Sequence, residues 1–392
     1  MSDTKLHQLD AESRLQEVLE AYFSEYHREK CYVGLIFEQG KRRMLQINVP
    51  AHDLPTLLQA KPSTGNDPDS GKNRPEVKGH VEEIKKYILK RSKNNNPWVL
   101  GTITANIDPE KIKIIELGRG ICFIVIPRGV KLDITDGQHR KRAIHELIES
   151  SDGEFIGNND FPITLILEED IEQCQTDFRD MAQTKALDKS LLLSFGEFEG
   201  RVGITKKLIE QVSMFYQKTE KIKNSPSSKR KLIYTTNYIA SFVGYSFTND
   251  PKNELADYDV EEASDALIQC LNQFFCECRY TSKIAQTPVE SLSVSDIELF
   301  KKDCLLGTSV GLHILGCLLY CIYDKYNTSF NSDQVYRLTQ INWSKKGELW
   351  QDNVVIVDSQ NIAKPYKIST GASPRKIAVS QAKAALGWDE LA

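Results

Sequence analysis

Five consecutive polar residues, Asp-Gly-Gln-His-Arg at positions 136–140, stand between an apolar run and a segment with helical periodicity. A glycine at such a junction allows a tight turn, and the amides at the start of the following helix favour an anion, typically a phosphate. Arginine makes bidentate contacts with phosphate, and glutamine and histidine add donors. The residues expected to bind phosphate or nucleotide here are Gly137, Gln138, His139 and Arg140.

Asp136 leaves the chemistry of this turn open. Its carboxylate could cap the helix, hold the Arg140 side chain, or bind a metal ion. From the residue types alone, the simpler interpretation is a capped helix start in which Asp136 and Arg140 form a structural pair. In the alternative interpretation the turn binds ATP or CTP with Mg²⁺, and Asp136 is the catalytic residue of a nucleoside triphosphatase.

A basic run provides the second group of candidate residues. Residues 201–231 carry nine basic and two acidic side chains, whereas residues 249–265 carry one basic and seven acidic side chains. Lysines and arginines that face DNA neutralise phosphates and release counterions. The residues expected to contact DNA are Lys206, Lys207, Lys223, Lys229, Arg230 and Lys231, with a smaller patch of Lys41, Arg42 and Arg43.

Two alternatives remain open for the basic run. A solvated surface explains such runs as simply as DNA contact does, and the acidic segment 249–265 could mask the basic one. If the run does face DNA, the stretch 225–244 is typical of a turn that leads into a helix entering a groove.

The nine cysteines indicate neither a metal site nor a disulfide framework. Cys276 and Cys278, like Cys317 and Cys321, lack the paired spacing of a zinc ribbon, so no metal site is predicted. Cys31 follows three charged residues. It is therefore the thiol that we expect to be most accessible, and a candidate for redox control of binding.

The composition limits the class of protein. Of the 392 residues, 40% are hydrophobic and 27% are charged, which is typical of a soluble globular protein. The length suggests two or three domains, or one core with large insertions. The formal net charge of −4 excludes a protein coated in positive charge but not a local DNA-binding face. The N-terminal residues lack the apolar run of a signal peptide, and together with the cysteine usage this predicts a cytoplasmic location.

The apolar stretch 304–323 contains no Asp, Glu, Lys or Arg and is long enough to span a bilayer. It also contains three glycines and a histidine, and it stands alone. We therefore expect a buried core helix and no membrane partner.

Hydrophobic periodicity predicts the elements that position the turn. Four apolar runs rich in isoleucine and valine indicate buried strands: 112–117, 121–126, 130–134 and 161–167. A β-hairpin is expected between Cys31 and Pro50, and helical periodicity covers 77–91 and the residues from the turn to Glu149. This alternation predicts an α/β fold, after which the chain becomes mostly helical from about residue 170.

The string DGQHRKRAI resembles the signature of the DGQHR-domain family, within the ParB/sulfiredoxin-like superfamily. Three further segments are similar to the whole-chain pattern of the DndB family, over roughly residues 30–390: RPEVKGHVEEIKKYI, FRDMAQTKALDKSLLLSF and INWSKKGELW. That family regulates DNA phosphorothioation, which is the sulfur modification of DNA.

The resemblance implies a fold and a set of partners. The fold is an α/β, ParB/sulfiredoxin-like core with a mostly helical C-terminal half, in which Arg74 and His80 could reach the phosphate site of the turn. Gln138 replaces the catalytic cysteine of sulfiredoxin, so sulfiredoxin chemistry is not expected. The expected partners are double-stranded promoter DNA and other DNA-modification proteins, and a homodimer would suit a palindromic operator.

We predict four regions: an N-terminal helix at 1–29, the DGQHR core at 30–200, a helical region with the basic patch at 201–340, and a C-terminal unit at 341–392. The leading hypothesis is a DNA-binding repressor of a DNA phosphorothioation operon, without a certain cofactor. The alternative is a ParB-like enzyme that binds and hydrolyses ATP or CTP in DNA modification or restriction. A nuclease ranks below both, because no carboxylate cluster for metal-dependent cleavage is evident.

Overall fold

The computed structural model describes Ser13, Gln16 and residues 29–63, 71–72, 77, 79–183, 187–357 and 366–388. Contacts divide the chain into two compact units, Met1–Lys185 and Ala186–Ala392. The first unit mixes strands and helices and the second is mainly helical, which confirms the predicted α/β class. The predicted N-terminal helix falls almost entirely outside the described residues, and Arg74 lies outside them as well.

A curled sheet of eight strands forms the first unit. Its strands are β1 (Lys30–Gln39), β2 (Arg42–Pro50), β3 (Leu58–Gln59), β4 (Ile103–Ile107), β5 (Lys113–Gly118), β6 (Ile121–Ile126), β7 (Leu132–Asp136) and β8 (Asp160–Leu167). Their spatial order is β3-β7-β4-β8-β2-β1-β6-β5. The pairs β3/β7 and β4/β8 are parallel. The strand that ends at the turn, β7, therefore lies inside the sheet, next to β4.

Strands β1 and β2 confirm the predicted hairpin. Gln39 pairs with Arg42, which leaves Gly40 and Lys41 as the turn. Both turn residues have positive φ values, 59° and 64°. Two successive left-handed residues are typical of the type I′ turn, whose twist matches that of the flanking strands.

Four helices accompany the sheet: α1 (Leu54–Leu57), α2 (His80–Lys93), α3 (Gln138–Ile148) and α4 (Ile171–Ala182). Helices α2 and α3 pack against each other. Their apolar faces enter the core of the unit, where Ile88, Ile144 and Leu147 are at most 2% exposed. Burial of each such side chain contributes about 1.5–3 kcal/mol, so this burial holds α2 and α3 in the core of the unit.

The second unit contains nine described helices: α5 (Lys189–Phe195), α6 (Gly200–Gln211), α7 (Thr236–Thr248), α8 (Val260–Glu277), α9 (Ser282–Gln286), α10 (Val294–Asp303), α11 (Ser309–Tyr320), α12 (Ser332–Thr339) and α13 (Ala372–Leu386). Three two-stranded ribbons join them: β9 (Thr219–Glu220) with β10 (Tyr234–Thr235), β11 (Tyr323–Asp324) with β12 (Ser329–Phe330), and β13 (Val355–Val357) with β14 (Tyr366–Ile368). One hydrophobic core runs from Ile204 to Trp388, so the residues on both sides of position 340 share it.

The apolar stretch 304–323 forms a buried core helix, as predicted. It contains α11, in which Leu312, Leu315 and Leu319 have no exposed surface. Across the part of the chain that the structure describes, no helix is both long and apolar enough to cross a membrane.

Candidate functional site

The turn at 136–140 lies where β7 ends and α3 begins. Gly137 has a φ of 105° and a ψ of 16°, a left-handed conformation that favours glycine. A Cβ atom at this position would lie 3.1 Å from Arg140 Nη2 and 3.1 Å from Ile103 Cγ1. The backbone conformation and the available space therefore both call for glycine. The Lys141 amide donates to the Gly137 carbonyl at 2.9 Å, so the helix begins at this glycine.

Arg140 folds back over the turn. Its Nη2 donates to the Asp136 carboxylate at 2.6 Å and to the Thr102 carbonyl at 3.0 Å. The N-cap residue of α3 is Gly137, so no N-cap side chain bonds to the helix amides. The geometry is thus the structural pair of Asp136 and Arg140, and a phosphate that reached this turn would have to compete with Asp136 for the guanidinium.

The side chains of Gln138 and His139 face the interior, since each residue is 6% exposed. His139 Nε2 accepts a hydrogen bond from the Val77 amide at 3.0 Å, so this nitrogen is an acceptor rather than a donor for phosphate. The ring of His80 lies edge-on to His139 at 5.0 Å between centroids, and its Nδ1 is 3.2 Å from Glu83 Oε2. These side chains pack the turn against α2 rather than presenting it to solvent.

The hairpin patch is largely committed to ion pairs. Arg42 makes two hydrogen bonds, of 2.8 and 2.7 Å, to the carboxylate of Asp177, which is 8% exposed. Arg43 pairs with Glu116. Lys41 is exposed at the tip of the turn. A DNA phosphate that took Arg42 would leave the buried Asp177 carboxylate without its main partner, which is unfavourable.

The two adjacent lysines of α6 are engaged within the fold. Lys206 Nζ donates to the Gly196 carbonyl at 2.6 Å. Lys207 pairs with Glu261, lies 3.9 Å from Asp265, and has a side chain that is only 13% exposed. The sequence pattern predicts that both lysines contact DNA. In the structure the Lys206 ammonium is hydrogen-bonded to a carbonyl and only Lys207 is paired with carboxylates.

The acidic segment 249–265 supplies several of these partners. Besides Glu261 and Asp265, it contributes Glu254, which pairs with Arg201 at 3.0 Å. The acidic segment therefore pairs with basic side chains of α6. This agrees with the alternative in which residues 249–265 mask part of the basic run. The helix expected to enter a groove, α7, is instead a core helix with nine buried residues.

Residues 221–231 form most of the connection between β9 and β10, and we call them the basic loop. Four of its cationic side chains are exposed: Lys221, Lys223, Lys229 and Arg230. The three lysines form no ion pair with any residue that the structure describes. Lys231 behaves differently, because its Nζ donates to the carbonyls of Val289 and Glu290 at 3.0 and 3.2 Å.

A buried carboxylate fixes the basic loop. Glu220 is 1% exposed, and its Oε1 accepts the amides of Ile222 and Lys223 at 3.1 and 3.3 Å. Its Oε2 accepts from Arg230 Nη1 at 3.2 Å. Because a buried charge is tolerated only when it is paired and hydrogen-bonded, these bonds tie the two ends of the loop together. The sequence pattern did not identify this residue, although Glu220 is one of only two acids inside the basic run, a signal that could have done so.

Further contacts hold the backbone of the basic loop. Lys301 Nζ donates to the Pro226 carbonyl and to the Ser228 hydroxyl, both at 3.2 Å. Burial lowers the pKa of Lys301 to about 8. The Ser194 hydroxyl donates to the Lys221 carbonyl at 2.9 Å. The loop is thus anchored through its backbone and Arg230, while Lys221, Lys223 and Lys229 are exposed to solvent.

Cys31 lies on β1 opposite Val125 and is half-buried. Burial raises the pKa of its thiol, which lowers the thiolate fraction at neutral pH. Redox control through Cys31 stays a prediction that this environment does not favour. Within the described ranges, no group of three or more His, Cys, Asp or Glu side chains could hold a metal ion.

The chain is thus a two-unit protein in which an α/β unit carries a glycine turn and a helical unit carries an anchored basic loop. The model of the DndB family, described as DNA-sulfur modification-associated, matches residues 32–389. The chain belongs to this family, and its membership implies involvement in DNA sulfur modification. Neither the curated proteins nor the solved structures include a match to the chain.

Proposed function

We propose that this protein is a DNA-binding regulator that represses the operon for DNA sulfur modification, and that the basic loop holds the DNA backbone. The observation that carries the proposal is the group of exposed cations on a backbone fixed by Glu220. A loop that is already ordered loses little conformational entropy when it meets phosphates, so its charges are used efficiently.

The residues that we propose to contact DNA differ in part from those that the sequence alone predicts. Lys223, Lys229 and Arg230 remain, and Lys221 joins them because it is exposed on the same loop. Lys206 and Lys207 leave the set because Gly196 and Glu261 engage them. Phosphate contacts position a protein on DNA without reading bases, so the operator sequence would be recognised by other groups.

The resemblance to ParB relatives supports a further part of the proposal. Strand β7, Gly137 and α3 would form the phosphate turn of a ParB-like core, with the start of a helix facing the anion. The ion pair between Asp136 and Arg140 opposes this, because a phosphate has to displace the carboxylate. A homodimer on a palindromic promoter, with other modification proteins as partners, completes the proposal.

The direct experiment measures binding of the purified chain to the promoter of its sulfur-modification genes by fluorescence anisotropy. An unrelated duplex of the same length is the reference, and each titration is repeated with ATP or CTP and Mg²⁺. We expect a promoter preference of about a thousandfold or more that nucleotides leave unchanged. The absence of any preference over a salt series would contradict the repressor. Nucleotide turnover that Arg140→Ala abolishes would support the enzyme instead.

A matched pair of double variants tests the basic loop within the same protein. Lys223→Ala with Lys229→Ala removes two exposed charges, whereas Lys206→Ala with Lys207→Ala removes two that are engaged in the fold. We expect the first pair to weaken DNA binding by about tenfold or more and the second by less than about threefold. If the Lys206 and Lys207 variant instead lost more affinity for DNA, the DNA contact would lie on α6.

A further inference from the structure

The second unit contains a cavity of about 330 Å³ between α13 and the residues at the end of α7. One wall is the terminal helix, and it carries three cationic side chains and a hydroxyl: Arg375, Lys376, Lys383 and Ser380. The opposite wall includes the ring of Tyr245 and the amide of Asn249. No acidic side chain is among the described residues that line this cavity.

The positive charge of the cavity is concentrated at the start of α13. Arg375 and Lys376 lie in its first turns, where the helix dipole is positive, and the first turn holds no acidic residue. Neither side chain forms an ion pair with a residue that the structure describes. The nearby Asp250 carboxylate instead accepts the Lys252 amide at 3.0 Å. Clustered like charges are unfavourable by themselves, so the arrangement favours a bound anion.

Arg375 is held in place by aromatic packing. Its guanidinium carbon lies 4.8 Å from the centre of the Tyr245 ring, a cation–π geometry. The Tyr245 ring in turn lies 5.3 Å from the ring of His313. Gly316 permits this packing, because a Cβ there would lie 2.9 Å from Tyr245 Cβ. The cation is therefore positioned before any ligand arrives, and its charge is left available on the cavity side.

We propose that this cavity binds a small ligand through its phosphate group. Arg375 and Lys376 would neutralise the phosphate, and Ser380 and Asn249 would donate hydrogen bonds to its oxygens. A volume of about 330 Å³ is at the small end of ligand sites and suits a compact molecule rather than a duplex, which needs an extended surface. The site shares no residue with the basic loop or the turn at 136–140, so it goes beyond the proposed DNA contact. The ligand is either free phosphate or pyrophosphate, or a mononucleotide.

Isothermal titration calorimetry of the full chain at low salt tests this proposal with inorganic phosphate, pyrophosphate and AMP as probes. Wild type is expected to bind at least one of them at a single saturable site. Arg375→Gln and Lys376→Gln should each weaken that binding by roughly tenfold or more, since each removes a charged hydrogen-bond partner. AMP binding much more tightly than phosphate identifies a nucleotide, and equal binding identifies the phosphate group alone.

Arg279→Gln is the matched control. The Arg279 guanidinium carbon also lies over a tyrosine ring, 4.7 Å from the centre of Tyr280, but it is exposed and lines no part of this cavity. Its substitution should leave binding of the probes within about twofold of wild type, because the charge is removed outside the site.

Three results would overturn the proposal. The first is that wild type binds none of the three probes saturably, even if the variants weaken DNA binding. The second is that Arg140→Gln abolishes binding while Arg375→Gln does not, which moves the ligand to the turn at 136–140. The third is unchanged affinity in Lys376→Gln, a variant at an exposed position whose folding is checked by circular dichroism.

Discussion

The turn at 136–140 and the basic loop both place cations beside a tight backbone turn, but they neutralise the charge in opposite ways. At the turn, Arg140 closes onto Asp136 and the Thr102 carbonyl, and its side chain is 25% exposed. In the basic loop, the carboxylate of Glu220 is buried and accepts hydrogen bonds mainly from backbone amides. The lysines of the loop are therefore left exposed to solvent. The position of the nearest carboxylate, rather than the number of basic residues, decides which cations can meet a ligand.

Among the variants that distinguish the turn at 136–140 from the basic loop, we expect Glu220→Ala to change the free energy of unfolding most. Loss of the hydrogen bonds to Ile222, Lys223 and Arg230 should lower the free energy of unfolding by about 2–4 kcal/mol, because two loop amides and a guanidinium lose a buried, charged acceptor. Urea denaturation measures the change.

Glu261→Ala is the control for Glu220→Ala. Glu261 also pairs with a lysine of the basic run, but its side chain is 65% exposed. We expect a loss below about 1 kcal/mol, as for surface ion pairs. Equal losses in the two variants would show that Glu220 does not fix the loop.

Gly137→Ala tests the position in the turn where the backbone conformation and the available space are most restricted. Gly137 combines a φ of 105° with an Arg140 side chain that a Cβ would approach to 3.1 Å. Gly129→Ala is the matched control, since Gly129 has a φ of 83° but no atom within 4 Å of a Cβ. We expect a loss of about 1–3 kcal/mol for Gly137→Ala and about 1 kcal/mol for Gly129→Ala, measured by urea denaturation. Equal losses would mean that Arg140 is not packed against the turn.

A further prediction concerns the pH dependence that Lys301, which holds the backbone of the basic loop, gives to the free energy of unfolding. Burial lowers the pKa of Lys301 from 10.5 to about 8, so in this range the unfolded chain binds more protons than the folded one. The free energy of unfolding should therefore rise between pH 8 and 10.5, and Lys301→Met should remove that contribution. Lys302→Met, at the exposed neighbouring position, should leave the profile of denaturation midpoints against pH unchanged. Superimposable profiles for wild type and Lys301→Met would contradict the burial of this lysine.

Local patterns predicted much of the fold. The hairpin, the strands around the turn and the core helix within 304–323 follow from alternation, turn residues and continuous apolar runs, which act over a few residues. Strand β4 was missed because its five residues are all buried and include Thr104 and Asn106, so neither alternation nor an apolar run marks it. The Asn106 side chain is hydrogen-bonded, since the Thr135 hydroxyl donates to Asn106 at 3.3 Å and the Asn106 amide donates to the Glu168 carbonyl at 3.2 Å.

The candidate sites were less predictable because pairing acts at long range. The sequence correctly placed Gly137 at a strand-to-helix junction, since glycine at such a turn has a local conformational cause. It could not show that Lys207 meets Glu261, 54 positions further along the chain, or that Arg42 meets Asp177. Ion pairs of this kind depend on which helices pack together, and a count of charges along the chain carries no such information.

The measurement that tests the central claim most directly is the salt dependence of promoter binding. A triple variant, Lys221→Ala, Lys223→Ala and Lys229→Ala, is compared with wild type, and the double variant of Lys206 and Lys207 serves as the control. If the basic loop holds the DNA backbone, the slope of log K against log salt should become shallower by about 2–3 in the triple variant and change little in the control. A slope in the triple variant equal to that of wild type would contradict the account.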